Sequence, residues 1–316
     1  MYTRKNLVCF GGGTGLPSLL SGLKENPWFD VSAIVSMFDS GGSSGVLRDR
    51  FGILQPGDIL KCLLALSVDP QHARKILLRR IKHAVHDGHT GGNILLMGLE
   101  QVYGNYEDAV NSLGQLLSIT GRVIPVSLDK SALCAEGEDG SVAFGETEVD
   151  AKMRSGVLLN RIFLEPSASA TQTALSAISK ADAICIGPGS FYTSILPNFL
   201  PSGIALAIAS SKAPIVFIAN LLTEGRGMEN MALSDLIAIL EKRIGRRVDI
   251  VVANSAKPTE KILAAYAEEG KAPLKIDIDD GHVILSELWT DPNIARHDSV
   301  RLAGVVAAAI DRLKNR

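Results

Sequence analysis

The stretch from Val8 to Leu20, VCFGGGTGLPSLL, constrains this chain more than any other. The apolar run just before the glycines, NLVCF, is rich in β-branched and aromatic side chains and predicts a buried strand. Leu16, Leu19, Leu20 and Leu23 then fall at i, i+3, i+4 and i+7, the spacing of one helix face. Pro17 sits in the first turn, where its missing N–H is harmless. A second apolar strand follows over 31–38, VSAIVSMF. Strand, glycine turn, helix and strand make a βαβ unit, which demands a parallel pair with a right-handed crossover. Glycine this dense carries an entropic cost, so the turn needs an unusual backbone or a close approach.

The same alternation continues. Strands are predicted over 122–128, 157–164, 182–187, 213–220 and 248–254. Helices are predicted over 58–67, 70–84, 93–102, 107–119, 171–180, 203–210, 232–244, 259–269 and 298–314. The pattern is that of a doubly wound α/β fold with a mostly parallel sheet. One segment breaks it: ALCAEGEDGSVAFGETEV carries an Asp139-Gly140 turn signal and predicts an antiparallel β insertion near 130–165. No linker, repeat or low-complexity tract divides the 316 residues, so 1–316 reads as one domain.

A formal net charge of −2 and 5% aromatic residues give no footing for nucleic-acid binding. No run of about 18 apolar residues suggests a membrane span, and the apolar run before Gly11 is too short for a signal peptide. A cytoplasmic protein is expected. Cys9, Cys62, Cys134 and Cys185 form no CxxC pair; Cys9 and Cys185 lie in apolar runs and read as reduced core residues.

Three glycine loops stand where strands end. Gly11, Gly12, Gly13, Thr14 and Gly15 join a strand to a helix N-terminus, whose unpaired N–H groups and dipole favour an anion. The spacing excludes a P-loop, since no Gly-Lys-Ser/Thr follows. It also excludes the strict GxGxxG fingerprint, whose third glycine would fall on Leu16 or Ser18. A tight turn without a ligand remains the alternative. The second loop, MFDSGGSSG, places Asp39 at a strand's C-terminal end, to take a ribose hydroxyl or a metal. Gly41, Gly42, Ser43, Ser44 and Gly45 offer donors, and Arg48 and Arg50 can pair with phosphate. The third, CIGPGSFYTSILPN, holds Gly187, Pro188, Gly189 and Ser190 in the same setting. Asp58, after Pro56-Gly57, reads as a helix N-cap. His83, His86 and His89 lack the spacing of a zinc site. His89 and Asn93 face a ligand or, with Thr90, belong to a helix start. No GxSxG elbow, kinase set or His/Cys pair marks a reaction. The residues by themselves lead to an α/β protein that binds a phosphate-bearing ligand of nucleotide type at its strand ends.

Eight collinear segments, among them GGGTGLPSLLSGLK, GILQPGDILKCLLALS, GHTGGNILL, ADAICIGPGSFYTSILPN and the late ARHD, resemble the CofD-like family, specifically its YvcK-type branch, the gluconeogenesis factors. The resemblance implies a Rossmann-like three-layer fold. It implies a cytoplasmic regulator that binds UDP-N-acetylglucosamine or UDP-glucose and is tied to cell shape, cell-wall synthesis and gluconeogenic growth. Other relatives are magnesium-dependent 2-phospho-L-lactate transferases. Carried over, the matching positions are Gly11 to Gly15, Asp39 with the 41–44 loop, His89, Asn93, Gly187, Gly189 and Ser190. Tyr266 and Arg296 match the late tyrosine and arginine associated with the UDP-sugar. Two departures stand out. Ser40 replaces the second acid of an Asp-Asp pair, and one acid with a hydroxyl suits magnesium less well. The 223–230 loop, TEGRGMEN, lacks the usual Gly-Glu-Thr. A transferase, using magnesium at Asp39, is therefore the second reading, and an NAD-binding oxidoreductase the third. No resident cofactor is expected. The expected partner is a nucleotide sugar; cell-wall or regulatory proteins and a homo-oligomer stay open.

Overall fold

The computed structural model describes residues 3–38, 56–80 and 89–314. It begins with the expected unit: β1 (Lys5–Gly11), α1 (Gly15–Leu23) and β2 (Phe29–Val35). Among the described residues, α2 (Gly57–Leu66), α3 (Pro70–Leu77), α4 (Gly91–Tyr103) and α5 (Tyr106–Leu116) come next, before β3 (Arg122–Pro125). The insertion comprises β4 (Ala132–Gly137), β5 (Val142–Phe144), α6 (Glu146–Arg154) and β6 (Leu159–Glu165). The chain then alternates through α7 (Gln172–Ser179), β7 (Ala183–Ile186), α8 (Ile204–Ser210), β8 (Ile215–Ile218), α9 (Leu233–Ile244) and β9 (Ile250–Asn254). It ends with α10 (Glu260–Ala267), β10 (Val283–Ser286) and α11 (Ser299–Lys314).

Seven strands form one sheet in the order β10-β9-β8-β7-β1-β2-β3. Every pairing in it is parallel. Such a sheet is covered on both faces, so its strands are continuously apolar. In β1, Leu7 and Cys9 join the core under α1, α2 and α11, while Val8 and Phe10 join the core under α7, α8 and α9. Cys9 pairs with Cys185 across β1 and β7, and all four cysteines are free and buried. A hydrogen bond with Cys185, together with burial, pushes the Cys9 thiol well above its ordinary range.

The insertion forms a separate antiparallel sheet, β5-β4-β6. Its hairpin turns at Asp139-Gly140 as expected, with Gly140 at φ +76° and Asp139 Oδ1 accepting the Ser141 N–H at 3.0 Å. Two elements escape the sequence pattern. In α6 only Val149 and Met153 are buried, too few to write a helical stripe. β10 is an edge strand with Leu285 exposed, so it lacks the run that marks the buried strands. The predicted helix 70–84 stops at Leu77, its last buried apolar residue.

Strand order fixes where a ligand can sit. From β1 the sheet grows one way through β2 and β3 and the other way through β7, β8, β9 and β10. The loops after β1 and β7 therefore leave in opposite directions, and a crevice opens between them at the strands' C-terminal ends.

Candidate functional site

Two of the predicted glycine loops meet at this crevice. Gly13 adopts φ +62°, a conformation that side chains other than glycine rarely accept. Gly15 is required for a different reason. A Cβ there would lie 2.5 Å from the Pro188 carbonyl carbon and oxygen and 2.6 Å from the Gly189 nitrogen. The first loop is thus glycine-rich partly because the third loop packs against its backbone. Beneath both, fully buried Asn198 ties them down. Its Nδ2 donates to the Gly11 carbonyl at 3.1 Å and to the Ser194 carbonyl at 2.7 Å.

Asp58 is not the helix cap its position suggested. Helix α2 starts at Gly57 with no side-chain cap, and Asp58 stands inside its first turn. Its Oδ2 accepts the Gly13 N–H at 2.5 Å, and its Oδ1 pairs with Lys61 at 2.8 Å. A tertiary donor took the carboxylate that local geometry would have given to the helix. Gly189 is similarly committed: its N–H donates to Asn220 Oδ1 at 3.2 Å. Among the described residues, the N–H groups of Thr14, Gly15 and Ser190 meet no acceptor. These are the loop donors left for an anion.

The cleft holds about 510 Å³ and is lined on one side by Gly13, Thr14, Gly15, Gly189 and Ser190. Tyr266, from α10, and Arg296 line it as well. The Tyr266 Oη accepts the Ala295 N–H at 3.1 Å, so the tyrosine holds the segment that presents Arg296. Lys271 lies over the Tyr266 ring, 5.7 Å from its centre. The two residues that the sequence placed far apart thus share one wall with a lysine between α10 and β10.

His89 and Asn93 do not line the cleft. Both are buried at the start of α4, where Thr90 Oγ1 accepts the Asn93 N–H at 3.3 Å. Thr90 thus caps α4, one of the roles its position offered. Asp39, the 41–45 loop, Arg48, Arg50, His83 and His86 lie outside the described residues. Among the described residues, no three His, Cys, Asp or Glu side chains are grouped to hold a metal.

Several lining residues were not foreseen. Glu146, Asp150 and Arg154 lie at i, i+4 and i+8 on α6 and form a polar wall from the insertion. That spacing was a usable signal. Glu224 carried none beyond its place in the divergent 223–230 loop. Burial raises its carboxyl to about 7, aided by the nearby Asp150 charge and opposed by the Phe191 N–H. Tyr192 is pushed up to about 12 by burial and by the Glu224 charge. His297 is only 7% exposed, and burial holds it down to about 4. The ring hydrogen-bonds the Ala219 backbone, and its Nε2 has no partner among the described residues.

Fold and cleft define a doubly wound α/β protein with a cleft at the sheet's switch point, lined by glycine loops together with a tyrosine, an arginine and a lysine. The chain belongs to the CofD family, in the branch of the gluconeogenesis factors: the family profile described as 2-phospho-L-lactate transferase CofD matches residues 7–289. A Thermotoga maritima relative is 38% identical over 95% of this chain and 98% of its own length. The "Gluconeogenesis factor" of Listeria monocytogenes is 36% identical over 99% of this chain and 98% of its own. The crystal structure of a UPF0052-family protein from Bacillus halodurans superposes with a TM-score of 0.88 at 33% identity, covering 96% of this chain and 99% of that one. Among the described residues no helix is long and apolar enough to cross a membrane.

Proposed function

We propose that this chain is a cytoplasmic regulator that binds a nucleotide sugar, UDP-N-acetylglucosamine or UDP-glucose, and through it couples sugar-nucleotide supply to cell-wall synthesis, cell shape and gluconeogenic growth. One observation carries the reading: the glycine loops at Gly13–Gly15 and Gly189–Ser190 share a single cleft of about 510 Å³ with Tyr266, Lys271 and Arg296. The volume suits a ligand of this size. Loop N–H groups and the two cations offer a pyrophosphate both directional donors and charge. The tyrosine ring and the polar wall of α6 offer a stacking surface and hydroxyl partners to the rest of the ligand.

A transferase is the second reading, supported by the description of the matching family profile. It would draw on magnesium at Asp39. A thermal-shift panel of UDP-sugars, GDP and NAD, each with and without magnesium, separates the two. Stabilisation by UDP-sugars regardless of magnesium is the expected result. Stabilisation by GDP with magnesium alone would overturn it in favour of the transferase.

A further inference from the structure

A carboxyl group in a cleft built for an anion calls for a reason, and the contacts of Glu224 supply one. Its Oε1 accepts two protein donors, the Phe191 N–H and, at 2.8 Å, the Asn220 Nδ2. Asn220 passes the constraint on through Oδ1, which accepts the Gly189 N–H. One carboxyl oxygen therefore holds the third glycine loop from both sides. Both of those bonds fall on Oε1, and the Tyr192 N–H also hydrogen-bonds the carboxyl group. Glu224 lines the cleft and is partly exposed there.

The charges around it come from several elements. Asp150 on α6 disfavours the ionised form, and Lys271, between α10 and β10, favours it. Glu146, Arg154, Arg296 and His297 line the same cleft. Burial brings the carboxyl to about 7, whereas Tyr192 is at about 12 and His297 at about 4. Of these three, only Glu224 changes charge near neutral pH.

We propose that Glu224 is a ligand-binding residue that works in its neutral form: Oε2–H donates to a phosphate oxygen while Oε1 holds the Gly187–Ser190 loop, so binding takes up one proton. The proton comes from solvent, and no covalent bond of the ligand changes. The choice of ligand rests on the nucleotide-sugar reading; the choice of a phosphate group does not. Ionised, the same carboxylate repels the phosphate. Above the midpoint, affinity then falls about tenfold per pH unit.

The test has a ligand-free arm and a binding arm. In nitrogen-15 spectra of the free protein, the Phe191 amide should shift with a midpoint near neutral pH, and stay flat in Glu224→Gln. Isothermal titration in buffers of different ionisation heat should show uptake approaching one proton at alkaline pH, with UDP-N-acetylglucosamine and with inorganic pyrophosphate as probes. Glu224→Gln should bind as the wild type does at acid pH, without pH dependence, since the amide keeps both acceptor and donor. Glu224→Ala, checked for folding by its melt, should bind more weakly at every pH. A flat Phe191 amide in the wild type, or binding without proton uptake, overturns the proposal. If pyrophosphate alone binds, with uptake lost in Glu224→Gln, the role of Glu224 stands and the nucleotide-sugar reading falls. If neither probe binds at any pH, both fall.

Discussion

The carboxylate of Asp58 accepts the backbone N–H of Gly13 at 2.5 Å, joining the first turn of α2 to the first glycine loop. The loop is thus shaped from outside its own sequence, by a residue 45 positions away. The pairing withdraws one donor from any ligand and leaves Thr14 and Gly15 to meet it. Asp58→Ala should lower stability by about 1–3 kcal/mol, because a part-buried N–H loses its acceptor and Lys61 loses one of its contacts. Asp58→Asn keeps an acceptor and should lose less. Urea denaturation of the three proteins checks the order.

Gly15→Ala should be far more harmful than an ordinary glycine replacement in a helix. Its Cβ would enter the backbone of Pro188 and Gly189, so the two loops would have to part. A loss of about 1–3 kcal/mol is expected, with weakened binding of the cleft ligand. Gly98→Ala is the matched control. Gly98 lies within α4 with nothing within 4 Å of an added Cβ, and the change should stabilise by about 0.5–1 kcal/mol. Thermal melts of both variants decide it; equal effects would contradict the loop-packing role.

Tyr266→Phe isolates the hydroxyl from the ring. Without Oη the Ala295 N–H loses its acceptor and the segment carrying Arg296 loosens. The expected loss is about 1 kcal/mol of stability and a severalfold weaker ligand affinity. Tyr266→Ala, which also removes the surface under Lys271, should weaken binding further. Calorimetric titration of the two variants gives the split.

Two groups with shifted titrations should hide one another's effect on acid stability. His297 is held near 4 against an ordinary 6.5, so its contribution is present above 6.5 and lost as pH falls through 4. Glu224 is held near 7 against 4.5, so its contribution is present below 4.5 and lost as pH rises through 7. Across the shared window the two slopes oppose. Glu224→Gln should expose the histidine slope, with stability falling by about 3 kcal/mol from pH 6.5 to 4. Urea denaturation at several pH values measures it. An unchanged profile in the variant would contradict the assignment.

Much of the fold was legible because a parallel sheet writes itself in apolar runs, and glycine loops punctuate the strand ends. The β1–α1–β2 unit, the order of alternation and the hairpin at Asp139-Gly140 all follow from local pattern. The polar helix α6 and the edge strand β10 do not, since neither buries a full face. The candidate site was legible only where the ligand side is backbone. Gly13, Gly15 and Gly189 announce themselves, and Tyr266 and Arg296 were found through resemblance. Asp58, Asn198, Asn220 and Glu224 act through long-range hydrogen bonds, and no local spacing records which loop a side chain will reach. For Asp58, the local rule of helix capping pointed to the wrong partner.

The most direct measurement is calorimetric titration of UDP-N-acetylglucosamine into the wild-type protein and Arg296→Ala at slightly acid pH, where Glu224 is neutral. Saturable one-site binding by the wild type, weakened at least about tenfold in the variant, is the predicted result. No binding by a folded wild-type sample, or equal binding by both proteins, would contradict the assignment of this cleft to a nucleotide sugar.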